Sequence, residues 1–149
     1  MTDATTTTAT ASDLKAVAEM LATLDICMLT SRGEDGILHG RPMSNNGDVE
    51  YDGDSWFFAR ADSRKIGEIE ADPSVELAFI DTPNGTWINV EGRATVVRDD
   101  VERKRALWQD DLERWFENGP EDPEVVLIKV SAAHIDAWGG EEDRSIDVR

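Results

Sequence analysis

Three consecutive residues, Ser63, Arg64 and Lys65, place a hydroxyl and two cations at the start of a predicted short helix. Cations in a first helical turn oppose the helix dipole, and each costs on the order of 0.3–1 kcal/mol there. An anion at the helix end offsets that cost, because a phosphate accepts hydrogen bonds from backbone N–H groups, the hydroxyl and both cations. The segment therefore predicts a phosphate site, with ordinary solvated surface cations as the alternative.

A further cation, Arg41, lies on a predicted strand two residues after His39 and directly before Pro42. A strand arginine that faces a groove can hold an anion, and this would add to the phosphate site. The alternative is a salt bridge between Arg41 and one of the many acids of the chain. For His39 we expect a structural hydrogen-bonding role rather than that of a catalytic base.

The remaining chemically capable residues exclude several kinds of site. The chain has one cysteine, Cys27, in the apolar run 26–29, which predicts a buried small side chain rather than a reactive thiol. One cysteine excludes an internal disulfide, and two histidines, His39 and His134, exclude a three-histidine zinc site. The sequence also lacks a dinucleotide-binding glycine fingerprint, a P-loop and a nucleophile elbow.

Hydrophobic periodicity predicts the elements that must position these residues. We expect three helices, one capped by Ser12 and continuing to Leu24, a short one capped by Ser63, and one after an Asp99–Glu102 capping box. The predicted strands cover 26–31, 37–43, 55–59, 75–81, 87–97 and 125–130, the last with an extension to Trp138 as the longer alternative. Six strands that mostly follow one another favour an antiparallel barrel with added helices.

Single residues refine this architecture. A turn at 33–36 joins the first two strands as a hairpin, and Pro42 predicts that the second strand lies at an edge or is bulged there. Residues 45–54 form an exposed turn region, and Gly92 predicts a bulge in a long strand. In the third helix, Trp108 and Trp115 fall near one stripe with Val101 and Leu112, and either tryptophan could fill the core or touch a ligand.

Composition limits the classes of partner. The chain has 149 residues and a net charge of −17, with 32 acids against 15 bases. A chain this acidic disfavours nucleic acid and anionic membrane surfaces as partners. We expect a disordered tail at 1–11, one domain at 12–140 and a polar tail at 141–149. Without an apolar run of about 18 residues or a signal peptide, the expected location is the cytoplasm.

Several short motifs, in order, resemble the pyridoxamine 5'-phosphate oxidase-like superfamily, and within it the branch called general stress protein 26. The resemblance covers roughly residues 12–140, and the order and spacing of the motifs are more specific than any one of them. The matching pieces are Arg41-Pro42-Met43, Trp56-Phe57-Phe58, Ser63-Arg64-Lys65, the segment 87–94, Leu107-Trp108, Trp115-Phe116, Gly119, Asp122-Pro123 and Ala137-Trp138.

The resemblance implies a mainly β fold, a six-stranded antiparallel FMN-binding split barrel with peripheral helices. It also implies a homodimer with two flavins in clefts at the subunit interface. Arg41, Arg64 and Lys65, assisted by Ser63, would hold the FMN phosphate. The flavin ring would lie along backbone at Pro42 and Met43, and the further implied contacts are Phe58, Ala59, Trp87 and a Trp138 contributed by the second subunit.

The sequence departs from true pyridoxamine phosphate oxidases at two places. Those enzymes carry a lysine for the substrate phosphate where this chain has Asn46, and an Arg-x-His segment where this chain has Arg144-Ser145-Ile146. The missing lysine and histidine argue against oxidation of vitamin B6 as the activity. Of these implied substrate contacts, only the arginine is present in this chain, as Arg144.

Several functions stay open. The leading prediction is an FMN-dependent oxidoreductase of unknown substrate, linked to a stress response and supplied with electrons by a donor such as NAD(P)H. The alternatives are a non-catalytic flavin carrier or redox sensor, a relative that binds a deazaflavin, a haem protein with His39 or His134 as axial ligand, and a domain without ligand.

Overall fold

A computed structural model of the chain describes residues 4–46 and 49–149 and shows a β-sheet with three α-helices in this part. The helices are α1 (Ala11–Leu21), α2 (Arg64–Ala71) and α3 (Val101–Leu107). The strands are β1 (Thr6–Thr8), β2 (Ile26–Arg32), β3 (Leu38–Ser44), β4 (Asp54–Arg60), β5 (Ser74–Asp81), β6 (Thr86–Val97), β7 (Val125–Trp138) and β8 (Arg144–Asp147). Of the predicted turn at 45–54, Gly47 and Asp48 lie outside the described residues.

The strands form one mixed sheet in the order β1-β8-β7-β6-β5-β2-β3, with β4 paired to β7. The mainly β prediction is confirmed, but eight strands are found within the described ranges where six were expected. The two additional strands come from the segments predicted as tails: Thr6–Thr8 pairs in parallel with β8, and β8 pairs antiparallel with β7. Threonine favours strands, and Ile146 is buried, so packing overrides the polar composition of both ends. Among these residues the sheet does not close into a barrel.

β7 is the strand on which the sheet is built. Its 14 residues pair with β6 along one edge, and the other edge pairs first with β4 and then with β8. The longer alternative for the last strand is therefore correct. The β6–β7 ladder shifts register between Glu91 and Gly92, which confirms the predicted bulge. A side chain at Gly92 would collide with the carbonyl oxygen of Ser131, so this position requires glycine.

The β2–β3 hairpin confirms the sequence prediction. The turn is closed by the Gly33 N–H, which donates to the carbonyl oxygen of Ile37 at 2.8 Å. β3 is the last strand of the described sheet. Pro42 has no backbone N–H to donate, and such an edge strand tolerates it. His39, Arg41 and Met43 alternate with exposed residues and so share the inner face of β3.

α2 follows β4 directly and packs against β2 and β6. Ser63 is its N-cap residue, as predicted, but the Ser63 hydroxyl donates to the carbonyl oxygen of Arg60 at 2.7 Å and does not cap the helix. Ile66 and Ile69 are buried, and so is the carboxylate of Glu68, which the sequence analysis did not single out.

The other two helices begin one or two residues away from the predicted caps. Thr10, rather than Ser12, caps α1 and forms a reciprocal capping box with Asp13. α1 ends at Leu21 and does not continue to Leu24. Asp100, rather than Asp99, caps α3, because Asp99 adopts a left-handed backbone conformation with φ of 62°.

The prediction that the third helix places Trp108 and Trp115 near one stripe is wrong. α3 ends at Leu107 because Trp108 is extended, and a short 3₁₀ helix follows at Asp110–Arg114. Trp108 instead packs edge-on against Phe58, with ring centroids 5.2 Å apart, in a small aromatic cluster that includes Phe116. Trp115 is 68% exposed.

The main core fills the space between the inner face of the sheet and helices α1 and α2. It is built from the alternate residues of the strands, with Phe57, Leu77, Phe79 and Ile128 among its largest fully buried side chains. No helix within the described ranges combines the length and the apolarity needed to cross a bilayer.

His134 joins the terminal strand β8 to β7 through a cluster of polar side chains. Its Nδ1 lies 2.8 Å from Asp147 and its Nε2 lies 3.0 Å from Asp136 and 3.3 Å from the Ser145 hydroxyl. Burial lowers the pKa of His134, but the hydrogen bonds and charges of Asp147 and Asp136 outweigh it, so the pKa is raised above 6.5.

We predict that replacing His134 by Gln costs stability mainly in acid. A raised pKa in the folded state makes a contribution that is complete below about pH 6.5 and is lost as the pH rises through the folded-state pKa. The expected loss is about 1 kcal/mol or less, roughly 2–4 °C in Tm for a chain of this size. Thermal unfolding of both proteins from pH 5.5 to pH 9 measures it, and a difference that grows with pH would contradict the assignment.

Candidate functional site

The buried carboxylate of Glu68 lies at the centre of the predicted phosphate site. Glu68 is 5% exposed and projects from α2 toward the inner face of the β2–β3 hairpin. Arg41 and Arg64, predicted as phosphate ligands from separate segments, both form ion pairs with it. The fold therefore brings these two predicted cations together, and it does so around an acid.

Arg41 is held by three acceptors. Its Nη2 donates to Glu68 Oε1 at 3.0 Å, while its Nη1 donates to the Ser31 hydroxyl at 2.7 Å and to the Leu29 carbonyl oxygen at 3.3 Å. The Ser31 hydroxyl in turn donates to Glu68 Oε1 at 3.2 Å. The salt-bridge alternative for Arg41 is thus correct, but a guanidinium has five N–H donors and three bonds do not exhaust them.

Arg64 occupies the outer side of the same carboxylate. Its Nε lies 3.7 Å from Glu68 Oε2, and its Nη2 is hydrogen-bonded to His39 Nε2 at 3.0 Å. Since arginine can only donate, His39 accepts this hydrogen bond through Nε2, which also lies 3.5 Å from Asp35 Oδ1. His39 therefore takes the structural hydrogen-bonding role expected from the sequence. Arg64 itself is 69% exposed and is able to turn toward a ligand.

Of the three cations predicted at the phosphate, Lys65 is the one without an anionic partner among the described residues. Within 4–46 and 49–149, its ammonium makes no hydrogen bond and no ion pair. The pKa of Lys65 is lowered, first by partial burial and then by the positive charge of nearby Arg41. A half-buried ammonium beside a guanidinium is unfavourable unless an anion joins them.

Three cations and two carboxylates make up this cluster. Arg41, Arg64 and Lys65 carry three positive charges against Glu68 and the half-exposed Asp35, whose Oδ1 lies 3.5 Å from His39 Nε2, so positive charge is in local excess. A phosphate monoester carries about −1.5 to −2 at neutral pH. The residues present therefore fit a phosphate group, and the first-turn N–H groups of α2 lie in the same segment as two of the cations.

The residues implied for the flavin ring lie in three different parts of the structure. Trp87 and Trp138 are paired directly across the β6–β7 ladder, and Pro42 pairs with Met28 on β2. In contrast, Met43 and Ala59 are buried in the core, so only their backbone can face a ligand. Phe58 belongs to the small aromatic cluster with Trp108.

The outer face of the sheet is apolar where strands β2, β5, β6 and β7 lie side by side. Met28 pairs with Ala78, and Ile80 pairs with Trp87, which in turn pairs with Trp138. Ile26 is 56% and Ile80 is 61% exposed. A sheet face open to water is normally polar. We call the patch formed by Ile26, Met28, Ala78, Ile80, Trp87 and Trp138 the outer apolar face.

Both positions at which the chain departs from the true oxidases are engaged within the chain. The side-chain amide of Asn46 donates to the Leu107 carbonyl oxygen at 3.0 Å. Arg144 is 11% exposed and forms ion pairs with Asp13 at 3.3 Å and Glu142 at 3.2 Å. Arg144 thus anchors α1 to β8.

Cys27 does not belong to any site. It is 2% exposed in the main core, and burial raises its pKa to about 12. The thiolate is the reactive form of cysteine, so this thiol is inert in the folded protein, which confirms the prediction.

Comparison with known proteins decides the family. The model of the family described as "Pyridoxamine 5'-phosphate oxidase like" matches residues 12–148. The chain belongs to the pyridoxamine 5'-phosphate oxidase-like family. The resemblance drawn from the motifs around Arg41, Phe58 and Lys65 is confirmed.

Two curated relatives of this family member come from different kingdoms. Protein bli-3 of Neurospora crassa is 30% identical over an alignment of 113 residues, which covers 69% of this chain and 53% of the fungal protein. The chain therefore spans about half the length of that relative. General stress protein 26 of Bacillus subtilis is 28% identical over 100 residues, covering 64% of the chain and 70% of the relative.

Solved structures share the fold. The general stress protein 26 of Bacillus anthracis superposes with a TM-score of 0.77 at 24% identity, covering 91% of this chain and 98% of that one. A protein from Nostoc punctiforme, described as pyridoxamine 5'-phosphate oxidase-related and FMN binding, gives 0.66 at 18% identity, with 87% and 81% covered. A structure named F420 Reductase gives 0.60 at 18% identity, with 78% and 93% covered. The chain thus shares the fold of these structures, with an eight-stranded sheet that stays open among the described residues.

Sequence reasoning missed Glu68 and Ser31. Glu68 lies four residues after Arg64, and this spacing on a helix signals an ion pair. That signal does not show that the carboxylate is buried or that it reaches Arg41 on another element. Ser31 gave no signal, because a serine in an apolar strand has no distinctive spacing.

Proposed function

We propose that the protein binds FMN through its phosphate and acts as a flavin-dependent oxidoreductase of a small molecule. The observation that supports it most is the half-buried, unpaired ammonium of Lys65 beside Arg41 and Arg64. A fold maintains such a group at lower cost if an anion occupies the site for much of the time. The FMN-binding description of the Nostoc relative supports the choice of flavin.

In the proposed complex, Arg41, Arg64 and Lys65 hold the phosphate, with the Ser63 segment at the start of α2. A bound flavin supplies the electron transfer, and the protein supplies anchoring, orientation and access. Trp87, Trp138 and the backbone at Pro42 and Met43 orient the ring. No residue is assigned as an acid or base in this proposal.

The second candidate is a flavin carrier or redox sensor without a substrate. It is favoured by the two positions that bind substrate in true oxidases, since Asn46 and Arg144 are both engaged within the chain. A deazaflavin in place of FMN is the alternative cofactor, in line with the neighbour named F420 Reductase. A role in a stress response rests on the names of the bacterial relatives.

We also propose that the protein works as a homodimer through the outer apolar face. Two exposed isoleucines and a tryptophan pair on an open sheet form a patch typical of a protein interface. In a dimer of this kind, Trp138 of the partner subunit would approach the flavin held by the first. This assembly places the ring contacts and the interface on one surface.

The first test is the visible absorption spectrum of the purified protein, with mass spectrometry of whatever heat releases. We expect flavin bands and the mass of FMN. NAD(P)H added in the absence of oxygen bleaches the bands of an oxidoreductase, whereas a carrier leaves them unchanged. A colourless protein that takes up neither FMN nor a deazaflavin would contradict both proposed cofactors.

The phosphate site is tested by replacing Arg64 and Lys65 together with Ala. Loss of two charged contacts should weaken FMN at least tenfold, because a hydrogen bond to a charged group contributes about 1.5–3 kcal/mol. Riboflavin, which lacks the phosphate, should bind as before. Fluorescence titration of the apoprotein with each flavin measures both affinities. The matched control replaces Arg98 and Arg105, exposed arginines paired with Glu70 and Glu121, and equal weakening of both flavins would refute the site.

The interface is tested by Ile80→Glu, which places a charge within the outer apolar face. We expect light scattering to show a dimer for the wild-type chain and a monomer for the variant, which also retains less flavin. Ile37→Glu is the control, since Ile37 is equally exposed at 60% but lies at the end of the β2–β3 hairpin. A wild-type monomer that still holds flavin would rule out the proposed assembly.

A further inference from the structure

We propose that Glu68 is a positioning residue for the phosphate site: its buried carboxylate orients the guanidinium of Arg41 toward the ligand. This inference rests on the proposed function, since it concerns the same site. Glu68 does not touch the ligand in this proposal, because a phosphate and a carboxylate repel each other. It acts through Arg41.

The geometry separates the two oxygens of the carboxylate. Oε1 accepts from Arg41 at 3.0 Å and from Ser31 at 3.2 Å, so it is fully used within the protein. Oε2 is buried and, among the described residues, accepts no hydrogen bond. The nitrogen atoms nearest to Oε2 are Arg64 Nε at 3.7 Å and His39 Nε2 at 3.8 Å. One oxygen therefore fixes Arg41, while the other draws Arg64 only loosely.

This difference gives the two arginines different roles. Arg41 is 20% exposed and bound by Glu68, Ser31 and the Leu29 carbonyl, so its direction is set before a ligand arrives. Arg64 is mostly exposed and free to change partners. A guanidinium that is already oriented loses less conformational entropy on binding than a free one. The negative charge of Glu68 thus weakens the attraction of the site for a phosphate, but it fixes the direction of the Arg41 guanidinium.

In the alternative role, the Glu68 carboxylate orients nothing and only competes with the phosphate for the cations. Glu68→Gln distinguishes the two, because it keeps the volume and an acceptor but removes the charge. If Glu68 orients Arg41, the weaker hydrogen bond lowers FMN affinity by about tenfold. If Glu68 competes, removing its charge raises FMN affinity.

The test is titration of the full-length apoprotein with FMN and with riboflavin. We expect Glu68→Gln to weaken FMN and leave riboflavin unchanged. Glu70→Gln is the matched control, because it makes the same charge change on the same helix at a residue paired with Arg98, and it should alter neither affinity. In an Arg41→Ala background, Glu68→Gln should have no further effect on FMN.

A rise in FMN affinity, an unchanged ratio of FMN to riboflavin affinity, or a loss that persists without Arg41 would each overturn the proposal. If Glu68→Gln does not fold, Ser31→Ala removes the other side chain that holds Arg41, and should weaken FMN severalfold with riboflavin unchanged. An unchanged ratio in Ser31→Ala would also overturn the proposal. Wild-type protein that binds neither flavin refutes the proposed function itself, whereas selective FMN binding without an effect at Glu68 refutes only the positioning role.

Discussion

The ion pair between Glu68 on α2 and Arg41 on β3 is the interaction on which the candidate site depends. A buried carboxylate costs several kcal/mol unless a cation and hydrogen bonds satisfy it. Arg41 and Ser31 meet that requirement at Oε1, and in doing so they tie α2 to the β2–β3 hairpin. The same contact brings the cations of two distant segments into one place. The contact that stabilises this corner is therefore also the one that assembles the proposed anion site.

The position of β3 at the end of the sheet gives the site access to two surfaces. Successive residues of a strand point to opposite faces, so Arg41 belongs to the inner face and Pro42 to the outer one. Because β3 has no further neighbour in the described sheet, a ligand can pass around this edge. In the proposed complex, the anionic end of FMN would meet the cation cluster and its planar apolar end would meet the outer apolar face. An internal strand could not offer both surfaces to one molecule.

How far the sequence predicts the fold depends on the range of the interactions. The hairpin at 33–36 and the start of α2 are set by residues close in sequence, and both are found; the bulge at Gly92 is also found, because a glycine within a strand is itself a local signal. The terminal strands were missed because Thr6–Thr8 and Arg144–Asp147 become strands only through each other and β7, far apart in the chain. Trp115 was misplaced because a helix prediction assumes continuity, whereas α3 ends at Leu107.

The residues of the candidate site also differ in how far they could be predicted from the sequence. Ser63-Arg64-Lys65 was recognisable because cations at a helix start conflict with a local rule, and such conflicts are common at functional sites. Glu68 was not recognisable, because its importance comes from burial and from a partner 27 residues away. The Ser63 hydroxyl was expected at the phosphate and is used by the Arg60 carbonyl instead, a detail of turn geometry that spacing does not determine.

The overall charge of the chain makes these local contacts decisive. At a net charge of −17, the long-range field of the protein repels an anionic ligand. Salt screens such fields beyond about 8 Å at physiological ionic strength, so attraction must arise from groups in direct contact. In the proposed site, Arg41, Arg64 and Lys65 would supply that attraction in an otherwise acidic surface. Under these conditions an arginine held in the correct direction contributes more than an additional free cation would, and the buried carboxylate that holds it is compatible with binding a negatively charged cofactor.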